Sequence, residues 1–444
     1  MNLITENMEN PKKELLYQEV YDYFRDLILQ NRLPAGSKMP SLRKCAQEMK
    51  YSRTTIENAY LQLAADGYII SRPQSGYYVT EIARTHEKKP DTKSRSSRRW
   101  LYDLASQGVD QESFRFDLWR RYIKSALRQD ERLLSYGEPQ GEEDFRMALA
   151  DYIRERRNIL CSPEDIVVGA GTQSLLNILC PLLKGKETVS FPNPSFEQGS
   201  TVFSDYGFQI HYRDKNADII YVTPAHMTKW GEIMPVSRRL ELIRYASEHN
   251  SLIIEDDFEN EFVYLQKPTP SVYGLAGGKD VVYMGSFSRL LLPSIRISFM
   301  VLPSSLAEAY HKRAELYSQT ASKAEQIALC QFIRDGHLGA QTRKLRRLYS
   351  QKLKELTKAI KSVFGVSAKI KAGSAGTSLA VTLPFHGSRE QLKKQAQTKG
   401  LHLQFLEKSE ESITLLFSCS AMPAKDFIPA CRLLKDIMEQ PDFR

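Results

Sequence analysis

The sequence predicts a chain of two unlike parts: a small helical head closed by a β-hairpin, and a large α/β domain carrying a smaller α+β lobe at its C-terminal end. Three observations predict it. Apolar residues recur at helical spacing up to Leu63, a polar tract fills 81–99, and short apolar strands alternate with helical patterns from Trp100 onward. At 444 residues the chain exceeds one ordinary core, so two or three domains are expected. Its 42% apolar and 10% aromatic content is that of a globular protein.

In the head, Leu15, Leu16, Val20, Phe24, Leu27 and Ile28 follow the three- and four-residue steps of an amphipathic helix that Pro34-Ala35-Gly36 stops. Ser41 reads as the N-cap of a short second helix with Leu42, Cys45, Ala46 and Met49 on one face. After Lys50-Tyr51, Ser52 caps a third helix whose Ile56, Ala59, Tyr60 and Leu63 point inward, and Gly67 ends it. Tyr68–Arg72 and Tyr77–Val79 then flank Pro73-Gln74-Ser75-Gly76 as two hairpin strands. Two short helices joined by a tight turn, with Arg53, Thr54 and Thr55 opening the second, have the layout of a helix-turn-helix, and the hairpin is its wing.

Charge agrees with that layout. The net charge is +9, and residues 1–100 hold 17 Lys and Arg against 12 Asp and Glu, which is compatible with a nucleic-acid partner without establishing one. The tract Thr85–Arg99 has no apolar face and reads as a flexible basic linker. Its boundaries divide the chain into a head at 1–80, a linker at 81–99 and a large domain at 100–444, with the small lobe from about 340. Cys45, Cys161, Cys180, Cys330, Cys419 and Cys431 show no metal-ligand or redox spacing, so no metal site is assigned. The longest apolar run, Leu175–Leu183, falls far short of a membrane span, and Met1–Asn10 lacks a signal-peptide core. A cytoplasmic protein without a membrane partner is expected.

The large domain offers Ile166–Val168, Thr188–Phe191, Ile219–Val222, Leu252–Ile254, Val281–Tyr283 and Ile297–Val301 as buried strands between helices, the pattern of a mainly parallel sheet covered on both faces. After a basic helix at Arg343–Ile360, Ser378–Leu383 and Ile413–Phe417 suggest a separate small lobe. Gly169-Ala170-Gly171-Thr172-Gln173 follows a strand and opens a helix, a turn whose free N–H groups suit a phosphate. Close packing explains such a turn equally well.

Two resemblances follow from these residues. Leu33–Arg43, Ser52–Ile56, Ala59-Tyr60, Leu63, Asp66-Gly67-Tyr68 and Ser75–Val79 together resemble the winged helix-turn-helix of GntR-type bacterial regulators, in register over about 65 residues. From Tyr136-Gly137-Glu138-Pro139-Gln140-Gly141 to the C-terminus the chain resembles fold-type I, pyridoxal-phosphate-dependent aminotransferases. A GntR-type head fused to such a domain is similar to the MocR-type regulators, in which the enzyme-like part senses a small molecule and the head binds DNA. The fold class implied is a winged helix-turn-helix, α with a β wing, joined to an α/β fold-type I aminotransferase-like domain with a smaller α+β lobe.

The first resemblance implies DNA contacts from Arg43, Arg53 and Thr55, with Lys44, Ser52, Thr54, Arg72 and Gly76 beside them, on a double-stranded operator. The second places Gly171, Thr172, Ser286, Ser288 and Arg296 at the cofactor phosphate, Phe196 over the pyridine ring and Asp256 at its nitrogen. Arg289, 33 residues after Asp256, stands where the family carries its Schiff-base lysine. A guanidinium stays protonated and delocalised and is no carbonyl nucleophile. Other departures agree. Phe258 replaces a tyrosine, Met227 a polar residue, and no arginine occurs between Leu401 and Ala430 to hold a substrate carboxylate.

No catalytic residue is therefore assigned, and pyridoxal phosphate would be held only non-covalently. Arg289 is expected to pair with Asp256 and fill part of the cofactor volume, since an unpaired buried carboxylate is unfavourable. A homodimer with an unknown small-molecule effector is the leading reading. An aminotransferase with a DNA-binding appendage is the alternative, and a ligand-free dimerisation scaffold is the third.

Overall fold

Helical spacing in the head becomes three helices, α1 (Pro11–Leu29), α2 (Leu42–Met49) and α3 (Arg53–Ala65), followed by strands β1 (Ile69–Arg72) and β2 (Gly76–Val79). The computed structural model describes residues 11–81, 100–106, 108–110, 112–264 and 269–440, with side chains from 16 onward; the linker at 82–99 lies outside them. Val20, Phe24, Ile28, Cys45, Ile56, Tyr60, Leu63, Ile69 and Val79 form one buried cluster, so the three helices and the hairpin share a core. Both N-caps form as the sequence requires. Ser41 Oγ accepts from the Lys44 amide at 3.2 Å and Ser52 Oγ from the Thr55 amide at 3.1 Å. Lys50 closes α2 in the left-handed region at φ 56°, which turns the chain sharply into α3.

The hairpin pairs antiparallel from Ile69 with Val79 to Arg72 with Gly76. Gly76, at φ 100°, occupies backbone space that other residues rarely adopt.

Chain contacts divide the protein into two compact units, Met1–Arg98 and Arg99–Arg444. In the second unit, β3 (Tyr102–Asp103) is followed by β4 (Ile166–Gly169), β5 (Thr188–Phe191), β6 (Gln209–Tyr212), β7 (Ile219–Val222), β8 (Leu252–Asp256), β9 (Val281–Ser286) and β10 (Ser298–Val301). β4 to β10 make a seven-stranded sheet in the order β4-β10-β9-β8-β7-β5-β6. Only β10 runs antiparallel to its neighbours. Of these seven strands the sequence predicts all but β6, which has exposed ends and no buried residue and so leaves no apolar run to recognise.

Alternate residues feed two cores. Val168, Ile220, Val222 and Ile253 pack on one face, while Val167, Ile219, Tyr221 and Ile254 pack on the other. Burial on both faces explains why these strands read as continuous apolar runs.

The basic helix extends over His337–Phe364, longer than its expected core, and leads to a four-stranded antiparallel sheet. That sheet contains β11 (Lys369–Lys371), β12 (Ser378–Pro384), β14 (Gln404–Lys408) and β15 (Ser412–Ser418), ordered β11-β12-β15-β14. β13 (Leu401–His402) pairs in parallel with β3, tying the start of this unit to its small lobe.

Candidate functional site

The head presents its basic side chains on the exposed side of a short, well-capped motif. Arg43, Lys44, Arg53, Thr54, Arg72 and Gly76 are exposed, and Ser52 is exposed at the α3 cap. Thr55 departs from the expectation. It is buried, and its hydroxyl lies 2.7 Å from Ser52 Oγ, so its side chain is spent on the cap and faces the head's own core. Lys44 pairs loosely with Glu48 at 3.7 Å on the same helix. On the wing, the Arg72 guanidinium lies 4.4 Å from the Tyr78 ring centre, and the Lys38 ammonium lies 5.9 Å from it. Lys38 and Tyr78 were not singled out in the sequence, because the bridge that joins them brings together positions far apart along the chain.

In the large domain, the turn after β4 delivers Gly171 at φ 101° to the N-terminus of the helix Thr172–Leu179. A Cβ built at 171 would stand 2.3 Å from Arg296 Nη2, so only glycine lets that guanidinium lie across the turn. Ser288 Oγ is 3.5 Å from Arg296 Nη1, and the Ser288 amide points to Ser286 Oγ at 3.4 Å. Gly171, Thr172, Ser286, Ser288 and Arg296 are thus gathered at one end of the candidate site. Thr320, about which the sequence gave no signal, accepts from the Ala170 amide at 3.0 Å and meets Ser174 Oγ at 2.8 Å. A helix N-terminus, an arginine and two serines can hold a dianionic phosphate.

The other end is closed. Arg289 does not reach Asp256. Its Nη2 and Nε lie 2.5 and 2.6 Å from Glu259 Oε1, while Nη1 donates to the Gly108 carbonyl at 3.2 Å and Nη2 to Thr377 Oγ1 at 3.1 Å. The expected Arg289–Asp256 pair is therefore replaced by Arg289–Glu259. The physical reason is local. Asp256 Oδ2 is already held by the Tyr221 hydroxyl at 2.7 Å, whereas Glu259 sits at φ 58° on the turn after β8, a left-handed backbone state costly for such a residue. The sequence contained the clue, since a cation buried at 289 needs a carboxylate and the run Glu255–Glu259 supplies four.

His226 completes the closed end. Its Nδ1 lies 3.4 Å from Glu259 Oε2, and the Phe258 ring meets the imidazole edge-on at 5.7 Å. Burial holds the imidazole below its usual range, partly offset by Glu259 and reinforced by Arg289. Burial pushes the Asp256 carboxyl up to about 6, although the residue keeps some exposure. Asp257 points elsewhere and forms a bidentate pair with buried Arg157 at 2.6 and 2.9 Å.

Phe196 rests against Tyr221, ring centres 5.4 Å apart and tilted by 32°, as an aromatic that packs on the core and keeps some exposure. The residues fit the phosphate end of pyridoxal phosphate but not its covalent end. No primary amine stands at 289, and Phe258 offers no hydroxyl to a phenolic oxygen.

Comparison with known proteins agrees with both halves. A family profile described as "Bacterial regulatory proteins, gntR family" matches residues 16–79, and one described as "Aminotransferase class I and II" matches residues 110–400. The chain is 34% identical to the uncharacterized HTH-type transcriptional regulator YdeL of Bacillus subtilis, over 85% of this chain and 86% of that one. It is 27% identical to the "Probable rhizopine catabolism regulatory protein MocR" of Rhizobium meliloti, over 88% and 87% of the two chains. Among solved structures, an archaeal alanine:glyoxylate aminotransferase superposes with a TM-score of 0.68 at 18% identity, over 77% of this chain and 91% of that one, a likeness of fold alone. With a winged head and an aminotransferase-like body matched over most of its length, the chain belongs to the MocR-type subgroup of the GntR family, the DNA-binding bacterial transcription regulators.

Proposed function

We propose that the aminotransferase-like domain works as a sensing and dimerisation module without transaminase activity. The observation that carries this reading is Arg289, a guanidinium in the place of the reactive amine, paired with Glu259 inside the cleft. Guanidinium cannot condense with an aldehyde or carry a substrate proton at physiological pH. A homodimer in the cytoplasm would bring two heads to paired half-sites of an operator, and effector binding would be thermodynamically coupled to DNA binding. The donors gathered at Gly171, Thr172, Ser286, Ser288 and Arg296 suit a phosphorylated ligand, including pyridoxal phosphate held non-covalently.

Absorption spectra with excess pyridoxal phosphate test the chemistry. The native chain is expected to show no band of a lysine-bound cofactor, and Arg289→Lys is expected to gain one. A borohydride-fixable chromophore on the native chain would refute the proposal.

For the head, Arg53→Ala is expected to weaken specific operator binding by about 1–3 kcal/mol. The melting curve should stay unchanged, because Arg53 is exposed. Unchanged operator affinity would remove Arg53 from the interface.

A further inference from the structure

A cavity of about 180 Å³ lies between the helix Glu143–Arg157, the helix His337–Phe364, the turn Asn260–Phe262 and the end of β9. Tyr152, Arg156, Asn260, Glu261, Ser286 and Arg346 are among its lining residues. Its volume is many times the roughly 10–15 Å³ that one water requires. Neither Arg156 nor Arg346 has a carboxylate within 4.0 Å among the described residues, and Glu261 likewise has no cation within that distance. Arg157, by contrast, is consumed by Asp257. Arg346 spends only its Nε, donating to the Glu261 carbonyl at 2.6 Å.

Arg156 owes its position to a glycine in the facing helix. A Cβ at Gly339 would stand 2.4 Å from Arg156 Nη2, so the guanidinium lies across that helix where no side chain intervenes. Two guanidinium groups with free donors at the wall of one cavity suit a carboxylate in charge and in hydrogen-bonding capacity. Glu261, pushed up to about 7 by burial, adds a group able to donate a proton to an acid or accept from an amine.

We propose that this cavity is the seat of the effector, and that the effector is a small carboxylic acid held by Arg156 and Arg346. The inference rests on the sensing role proposed above and gives it a place beside the vestigial cofactor site, with Ser286 on the wall they share. Its occupant would touch both segments that hold the buried pair, because Asn260 and Glu261 directly follow Glu259, and Ser286 ends the strand that leads to Arg289. A ligand here reaches the Arg289–Glu259 contact without entering the cleft.

Titration calorimetry of the full chain with succinate and with alanine tests the seat. At least one is expected to bind, and Arg156→Gln is expected to weaken it about tenfold or more, the effect of losing a charged hydrogen bond. Glu261→Gln separates the two acids: it should weaken alanine, whose ammonium needs the carboxylate, more than succinate. Arg296→Gln, at the phosphate end, should change neither. Failure of both acids to bind overturns the proposal, as does equal affinity in Arg156→Gln, or a loss confined to Arg296→Gln. Melting curves of the ligand-free variants establish folding, and Arg156 is exposed enough to be replaced without opening the core. Operator affinity with and without the bound acid tests the sensing role separately. A ligand that requires Arg156 but leaves operator affinity unchanged keeps the seat and refutes the sensing role.

Discussion

Glu259→Ala is expected to destabilise the aminotransferase-like domain by about 3–5 kcal/mol, because it strands a mostly buried guanidinium. The Arg289 side chain is 13% exposed and the Glu259 side chain 2%, so water replaces little of what is lost. The remaining partners of Arg289, the Gly108 carbonyl and Thr377 hydroxyl, carry no formal charge to balance it. Glu259 also holds a left-handed backbone, a strain that the ion pair and its surroundings must overcome. Replacing both partners, Glu259→Ala with Arg289→Met, should recover a good part of the loss, since the desolvated cation goes with its carboxylate. Urea unfolding followed by tryptophan fluorescence reads this domain selectively, because Trp100, Trp119 and Trp230 all lie outside the head. A single-mutant cost below about 1 kcal/mol would mean that Arg289 escapes to solvent and that the closed cleft is not the resting state.

Asp256→Asn should stabilise the domain in a pH-dependent way. In the folded chain the carboxyl is raised from 3.8 to about 6, chiefly by burial, so the folded state favours its protonated form. Stability from this group is fully present below about pH 4 and lost as the pH rises through about 6. At 1.36 kcal/mol for each pH unit, the loss approaches ~3 kcal/mol. Asparagine cannot ionise, yet its carbonyl oxygen still accepts from the Tyr221 hydroxyl. The variant should therefore gain on the native chain as pH rises from 5 to 8, with about half of the full difference falling in that range. Paired unfolding curves at the two pH values check it. Equal differences at both would show that Asp256 is ionised throughout, as it would be beneath a bound pyridinium.

Most of the fold was legible in the sequence because its signals are local. Caps at Ser41 and Ser52, helical spacing from Val20 to Leu63 and the glycine at 76 each act within a few residues of themselves. Strands buried on both faces announce themselves as apolar runs, whereas half-exposed Gln209–Tyr212 did not. Thr55 shows the limit of reading a motif by position. The first turn of α3 contains an inward-facing hydroxyl bound to the capping serine and an outward-facing arginine that is free of it, and motif position alone does not separate their roles.

By itself the sequence determined the two-part architecture, the glycine turn that opens the helix after β4 and the absence of an amine at 289, because each depends on residue identity or short-range spacing. Tertiary structure decided the partner of Arg289. Four carboxylates were available at 255, 256, 257 and 259, and the fold gave Glu255 to the amides of Val272 and Tyr273, Asp256 to Tyr221 and Asp257 to Arg157. Only Glu259, turned by a left-handed backbone, was left to meet the guanidinium. Hydrogen-bond competition among buried groups is settled in three dimensions, where one residue's partner depends on which neighbours have already taken the others.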